Sequence, residues 1–246
     1  MKRILSTWMA AAKTIFWKLL LILLLLAGTE LLMLRHGMDW YRQMLEGGYM
    51  PITFSNLLDQ SRLAYVYFAA LVAVTAVCCL QGAQFSGKKV YTLQRLPLGE
   101  FPATLLWALV HLSAYMILWA VQLAMIFVLW RVYVTEFGSG NPGLELFVAF
   151  YQNGFLHGLL PLADVARWIM VGFYYVTLAY SSACFGFFHR RGKVRLWVCV
   201  LLVLYGFLVG SDGSDVGNFL ICVSCVLLAV SQTGSIWGVY HNAETD

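Results

Sequence analysis

Phe85-Ser-Gly-Lys-Lys-Val-Tyr-Thr-Leu-Gln-Arg-Leu-Pro-Leu-Gly-Glu-Phe101 interrupts two long apolar runs and carries Lys88, Lys89 and Arg95. Basic loops are held on the cytoplasmic side during membrane insertion, so this stretch sets the direction of every apolar run around it. Leu93, Leu96 and Leu98 give it an apolar side, with Gly87 before them and Pro97 and Gly99 closing it. Two readings stand side by side: an ordinary solvated loop, or a short amphipathic segment that lies on the membrane or docks into another protein.

The composition around the segment decides the class. Of 246 residues, 61% are hydrophobic and 11% charged, against roughly 25% charged in a soluble domain. A chain this poor in polar groups cannot cover a core with a solvated surface, so it reads as an all-α integral membrane protein. The net charge of +4 comes without a basic patch interleaved with aromatics, which leaves nucleic-acid binding without support. All six cysteines (Cys78, Cys79, Cys184, Cys199, Cys222, Cys225) fall in apolar runs. They form no secreted disulfide framework and no zinc spacing, so no metal is expected. Lys2 and Arg3 before an apolar run raise a signal peptide, but the run continues through Leu34 and no small-x-small site closes it.

Outward from the opening segment, residues 1–14 read as an amphipathic interfacial helix, with Ile4, Leu5, Trp8, Met9 and Ala12 at helical spacing. Six spans are expected, at about 15–34, 63–83, 102–130, 167–188, 196–209 and 216–231, in a single transmembrane domain covering 1–246. Arg35–Arg62 reads as an external loop, with a short helix around Trp40–Leu45. Pro102 suits the first turn of the third span, which at 1.5 Å per residue reaches about 45 Å and exceeds a hydrocarbon core of about 30 Å. Leu144–Phe150 and Phe155–Leu162 follow the Gly138-Ser-Gly-Asn-Pro-Gly143 turn. They are too short to span and read as interfacial or partly re-entrant. With both termini inside, Lys2, Arg3, Lys13, Lys18, Lys88, Lys89, Arg95, Arg190, Arg191, Lys193 and Arg195 are cytoplasmic, against five of the 16 Lys and Arg outside. A seventh crossing would put the Arg190–Arg195 cluster outside, against the positive-inside bias.

A surface helix, six spans and an amphipathic cytoplasmic loop between spans two and three resemble ABC-2-type ABC transporter permeases. Tyr91-Thr-Leu-Gln-Arg-Leu-Pro-Leu98 is similar to the loop at that place in small bacterial members. The resemblance implies a coupling helix in 85–101 that rests on a separate ABC ATPase subunit through Leu93, Arg95, Leu96 and Pro97. It implies a second permease subunit, a bacterial cytoplasmic membrane, and ATP and Mg bound by the partner, with no cofactor on this chain. The chain departs from the pattern in one place. The family often has a re-entrant segment between spans five and six, where only Ser211-Asp-Gly-Ser-Asp215 stands here.

Site candidates lie within the spans. Trp107, His111, Tyr115, Trp119 and Gln122 are spaced four, four, four and three, which puts them on one face of span three. They form either a wall of a translocation path for an amphipathic substrate or an interhelical packing face. Glu30, near the outer end of span one, pairs structurally or receives a cationic substrate. Tyr174, Thr177 and Ser181 share a face of span four, and Asp164 and Arg167 are three apart, as in a helical ion pair. Ser181-Ser182 with His111 or His157 does not make a protease, since no G-x-S-x-G elbow is present. The chain has no phosphate loop of its own, so any ATP hydrolysis is expected on a separate subunit. The resemblance, with the aromatic face of span three, then implies a non-enzymatic exporter permease for a peptide, lipid or drug. The rivals are a membrane accessory or immunity protein, and a thiol oxidoreductase using Cys222 and Cys225.

Overall fold

The computed structural model describes residues 2–46, 53–83, 100–138, 141–189, 191–193, 195–210 and 215–243. Among them are nine helices and no strand: α1 (Lys2–Glu46), α2 (Phe54–Gln60), α3 (Leu63–Ala83), α4 (Glu100–Phe137), α5 (Pro142–Gln152), α6 (Gly154–Leu159), α7 (Val165–His189), α8 (Trp197–Gly210) and α9 (Asp215–Ala243). Five are long and apolar enough to cross a membrane, over Ala12–Met44, Leu63–Leu80, Phe101–Phe137, Val165–His189 and Val216–Gly238. The expected fifth span corresponds to α8, an apolar helix of 14 residues, or about 21 Å at 1.5 Å per residue.

Large apolar side chains cover much of the surface, while several polar side chains are buried within an otherwise apolar core. Phe16, Trp17, Leu24 and Leu32 of α1 and Phe219, Leu227 and Val230 of α9 are all more than half exposed. Glu30, Thr75, His111, Gln122, Ser181, Ser182 and Gln232 are buried. Lipid accepts the first set and rejects the second, so each helix turns its few polar side chains toward its neighbours. At the centre is α7, packed against α3, α4, α8 and α9; 67% of its span is buried, against 22% for α1 and α9.

Helix ends follow local chemistry. Thr53 caps α2 by accepting from the Asn56 N–H, and Arg62, at φ 52°, turns the chain directly into α3. Gly138, at φ 66°, sends its N–H to Val134 O and ends α4. After α7, Gly192 at φ 69° donates to His189 O while Lys193 donates to Phe188 O. This is the paired bonding of a Schellman stop, which a glycine adopts without a Cβ clash.

Two segments differ in extent from the sequence reading. The first span and its lead-in form one 45-residue helix, about 68 Å long, which continues through Arg35–Glu46, the first part of the expected external loop. The strong breakers Gly47-Gly48 and Pro51 come only after Glu46, and Arg42 is held by ion pairs to Asp39 and to Glu136 on α4. The expected polar tail is likewise helical to Ala243. Between α4 and α7, the short apolar run Leu144–Phe150 lies within α5, and Phe155–Leu162 begins in α6, which ends at Leu159.

Contacts define two ends of the bundle. Phe101, Phe187, Phe188, Trp197 and Ile236 cluster together, so the start of α4, the end of α7, the start of α8 and the late part of α9 meet. At the other end Tyr41 packs on Phe137 and Phe54 on Tyr133, and Asn153 of the α5–α6 joint donates to Asp59 at 2.7 Å. Glu30 meets Gln122, and Arg42 meets Glu136 twelve to fourteen residues later in both helices. Thus α1 and α4 run in parallel.

Candidate functional site

The polar face of α4 points into the bundle, and His111, Tyr115, Trp119 and Gln122 each reach a different neighbouring element. His111 Nδ1 lies 2.8 Å from Ser182 Oγ on α7. The Tyr115 hydroxyl donates to Thr75 Oγ1 on α3 at 3.1 Å, and Thr75 passes its own proton to Leu71 O. Trp119 Nε1 donates to Leu159 O at the end of α6 at 2.8 Å, and its ring meets Trp168 edge-on. Gln122 Nε2 donates to Glu30 Oε1 on α1 at 2.6 Å. Trp107 is half-buried and contacts His111 edge-on, with ring centroids 6.0 Å apart. The i, i+4 spacing therefore does collect the five residues on one face. That face ties α1, α3, α6 and α7 to α4, so its observed bonds are those of interhelical packing.

Ser182 Oγ donates to Ala179 O at 2.9 Å. When the Ser182 proton goes to Ala179 O, the His111 contact is Nδ1–H donating to Ser182 Oγ. Both side chains are buried. The neighbouring Ser181 accepts from Gln232 Nε2 on α9 at 2.6 Å, which extends the polar seam from α4 across α7 to α9.

A second seam is aromatic. Tyr67 and Tyr175 share a hydroxyl–hydroxyl bond of 2.7 Å, and Tyr205 packs on Tyr67 and Tyr174. The Tyr174 hydroxyl donates to Leu201 O on α8. Tyr174 and Tyr175 stand out in the sequence; Tyr67 and Tyr205 do not, because each is a single polar atom within an apolar run.

At the Asn153 end, Glu145 Oε1 accepts from the Tyr133 hydroxyl and the Phe54 N–H. A cleft of about 530 Å³ opens there, lined in part by Asp59, Arg62, Tyr65, Phe68, Asn153 and Tyr205. Cys222 and Cys225 are free thiols on α9, the second fully buried. Asp164 Oδ1 accepts from the Arg167 backbone N–H at the first turn of α7, a capping bond rather than the guanidinium contact expected of an ion pair. Leu93, Arg95, Leu96 and Pro97, the expected ATPase contacts, lie outside the described residues. No group of three or more metal-ligating side chains occurs among the described residues. No family model, no curated protein and no solved structure matches the chain.

Proposed function

We propose that this chain is the permease subunit of an ATP-driven exporter of the ABC-2 type, in a bacterial cytoplasmic membrane. It crosses six times, α8 being the short fifth crossing. Its termini are cytoplasmic, with the N-terminal turns of α1 at the interface. The observation that carries the reading is how charge is sorted between the two ends of the bundle. The end where Phe101, Phe187, Phe188 and Trp197 cluster adjoins the Lys88–Arg95 segment and the His189–Arg195 turn in sequence. Arg191 stacks over Phe187 at 4.0 Å and Arg195 over Trp197 at 4.8 Å. Concentrated cations at one end support its being the cytoplasmic face.

On that face the 85–101 segment would meet a separate ATPase carrying ATP and Mg. Leu93 and Leu96 would enter an apolar cleft, Arg95 would take a carboxylate and Pro97 would fix the turn. The bonds of His111, Tyr115, Trp119 and Gln122 to other helices of the same chain, with Trp107 packed on His111, favour a role in holding one subunit together. A path between two permease subunits then suits the apolar outer faces and an amphipathic or hydrophobic substrate.

Purification of the tagged chain in mild detergent, expressed with its neighbouring genes, tests this reading. An ATPase should co-purify with the wild type and be lost with Arg95→Glu or Leu96→Asp. Absence of any ATPase from the wild type under all mild conditions would move the chain to the accessory or immunity class.

A further inference from the structure

Glu30 and Gln122 are both 0% exposed, and both lie within candidate membrane spans, Ala12–Met44 and Phe101–Phe137. One bond joins them, from Gln122 Nε2 to Glu30 Oε1 at 2.6 Å. The other oxygen of each group, Glu30 Oε2 and Gln122 Oε1, is buried without a hydrogen-bond partner. As a carboxylate, Glu30 would leave two bare acceptors and a net charge away from water, where each unsatisfied polar group is costly and a charge more so.

The described surroundings supply no counter-charge to Glu30. Among the described residues the ion pairs of α1 are those of Arg42 with Asp39 and Glu136, and Glu30 has none. Of the helices packed on α1, α3 has no Asp, Glu, Lys, Arg or His, its titratable groups being Tyr65, Tyr67, Cys78 and Cys79. On α4, His111 is bonded to Ser182 and Tyr115 to Thr75. Arg131 is exposed, and Glu136 is taken by Arg42. On α2, Asp59 accepts from Asn153. On α1 itself, Arg35 and His36 are exposed.

A carboxylic acid and a primary amide have matching edges. The amide N–H donates to the acid carbonyl, and the acid O–H donates to the amide carbonyl, closing a ring of two hydrogen bonds. The first of these bonds is present. A single proton on Glu30 Oε2 converts one orphan acceptor into a donor and offers it the other orphan, Gln122 Oε1. We infer that Glu30 is a proton-binding site within the membrane, and that its neutral acid–amide ring with Gln122 latches α1 to α4. The proton is taken from water as the two helices associate, and the pair then carries no net charge. This inference is independent of the exporter reading and holds whether or not an ATPase docks on the chain.

Infrared spectroscopy of the full chain in lipid nanodiscs at pH 7 tests it. The wild type should show a protonated-carboxyl C=O band that shifts in D₂O and is missing in Glu30→Gln. In Gln122→Leu the band should move to the higher frequency of an acid without an acceptor. Thermal unfolding gives a second readout. Gln at position 30 can make the same two-bond ring, so Glu30→Gln should unfold within about 2 °C of wild type while Glu30→Ala falls well below it. Identical spectra for wild type and Glu30→Gln in the protonated-carboxyl region would overturn the inference, as would a Glu30→Gln loss of stability equal to that of Glu30→Ala, the result expected of an ionised Glu30 holding a cation.

Discussion

Tyr67 and Tyr175 show what single atoms contribute inside this bundle. Their shared hydroxyl bond, 2.7 Å and buried, is worth about 1 kcal/mol by the usual net value of an intramolecular hydrogen bond. Tyr67→Phe should lower unfolding stability by about that much and leave the Tyr175 oxygen without this partner. Adding Tyr175→Phe should cost less than the sum of the two single changes, because both single changes remove the same shared bond; chemical denaturation in detergent reads both. Close packing has a comparable test at Gly37, where an added Cβ would lie 2.5 Å from Ser61 Oγ. Gly37→Ala should destabilise by about 1 kcal/mol, and Ser61→Ala should relieve most of that. Gly28→Ala, with nothing within 4 Å of its Cβ, should be neutral or slightly stabilising. The inward face of α4 was legible in the sequence because five polar or aromatic residues recur at helical spacing. Their partners were not, since Thr75, Ser182 and Leu159 come from three other elements and no spacing rule connects them.

At the scale of elements, turn chemistry was readable wherever it is local. Gly138 and Gly192 end helices at positive φ, and Pro142 opens α5. The length of α1 was not readable. Arg35, His36, Asp39 and Arg42 look like a water-facing loop, yet a helix that leaves the membrane can carry them on its surface, and Glu136 of α4 holds Arg42 from outside α1. The joint between α5 and α6 ties α6 to α2 through Asn153. Asn153 Oδ1 caps α6 by accepting from the Leu156 N–H at 3.0 Å, while its Nδ2 donates to Asp59. Asn153→Ala removes a cap and a hydrogen bond to a charged group, so a loss of about 2 kcal/mol is expected. Hydrogen exchange should show α6 and α2 opening together in that variant. Opening of α6 alone would mean that the Asp59 bond contributes nothing.

For the whole molecule, composition alone made the membrane class legible, and the apolar outer faces of α1 and α9, with polar side chains such as Glu30 and Gln122 turned inward, agree with it. The number of crossings was less so, because α8 is short for a span and its 14 residues read equally well as a buried helix. Orientation can be measured directly. In a background without the native cysteines, Lys193→Cys should react with a membrane-impermeant maleimide only after cells are opened, and Gln43→Cys should react in intact cells. The reverse pattern would invert the bundle and place the 85–101 segment where no cytoplasmic ATPase could reach it.

The central claim is that this segment is the docking site for an ATPase. A photoreactive amino acid in place of Leu96, activated in living cells that express the chain with its neighbouring genes, reads that contact without purification. The expected product is a covalent adduct with an ATP-binding subunit, absent when the probe replaces the lipid-facing Leu227 instead. Adducts at Leu96 that contain only lipid, or only proteins without a nucleotide-binding site, would contradict the claim.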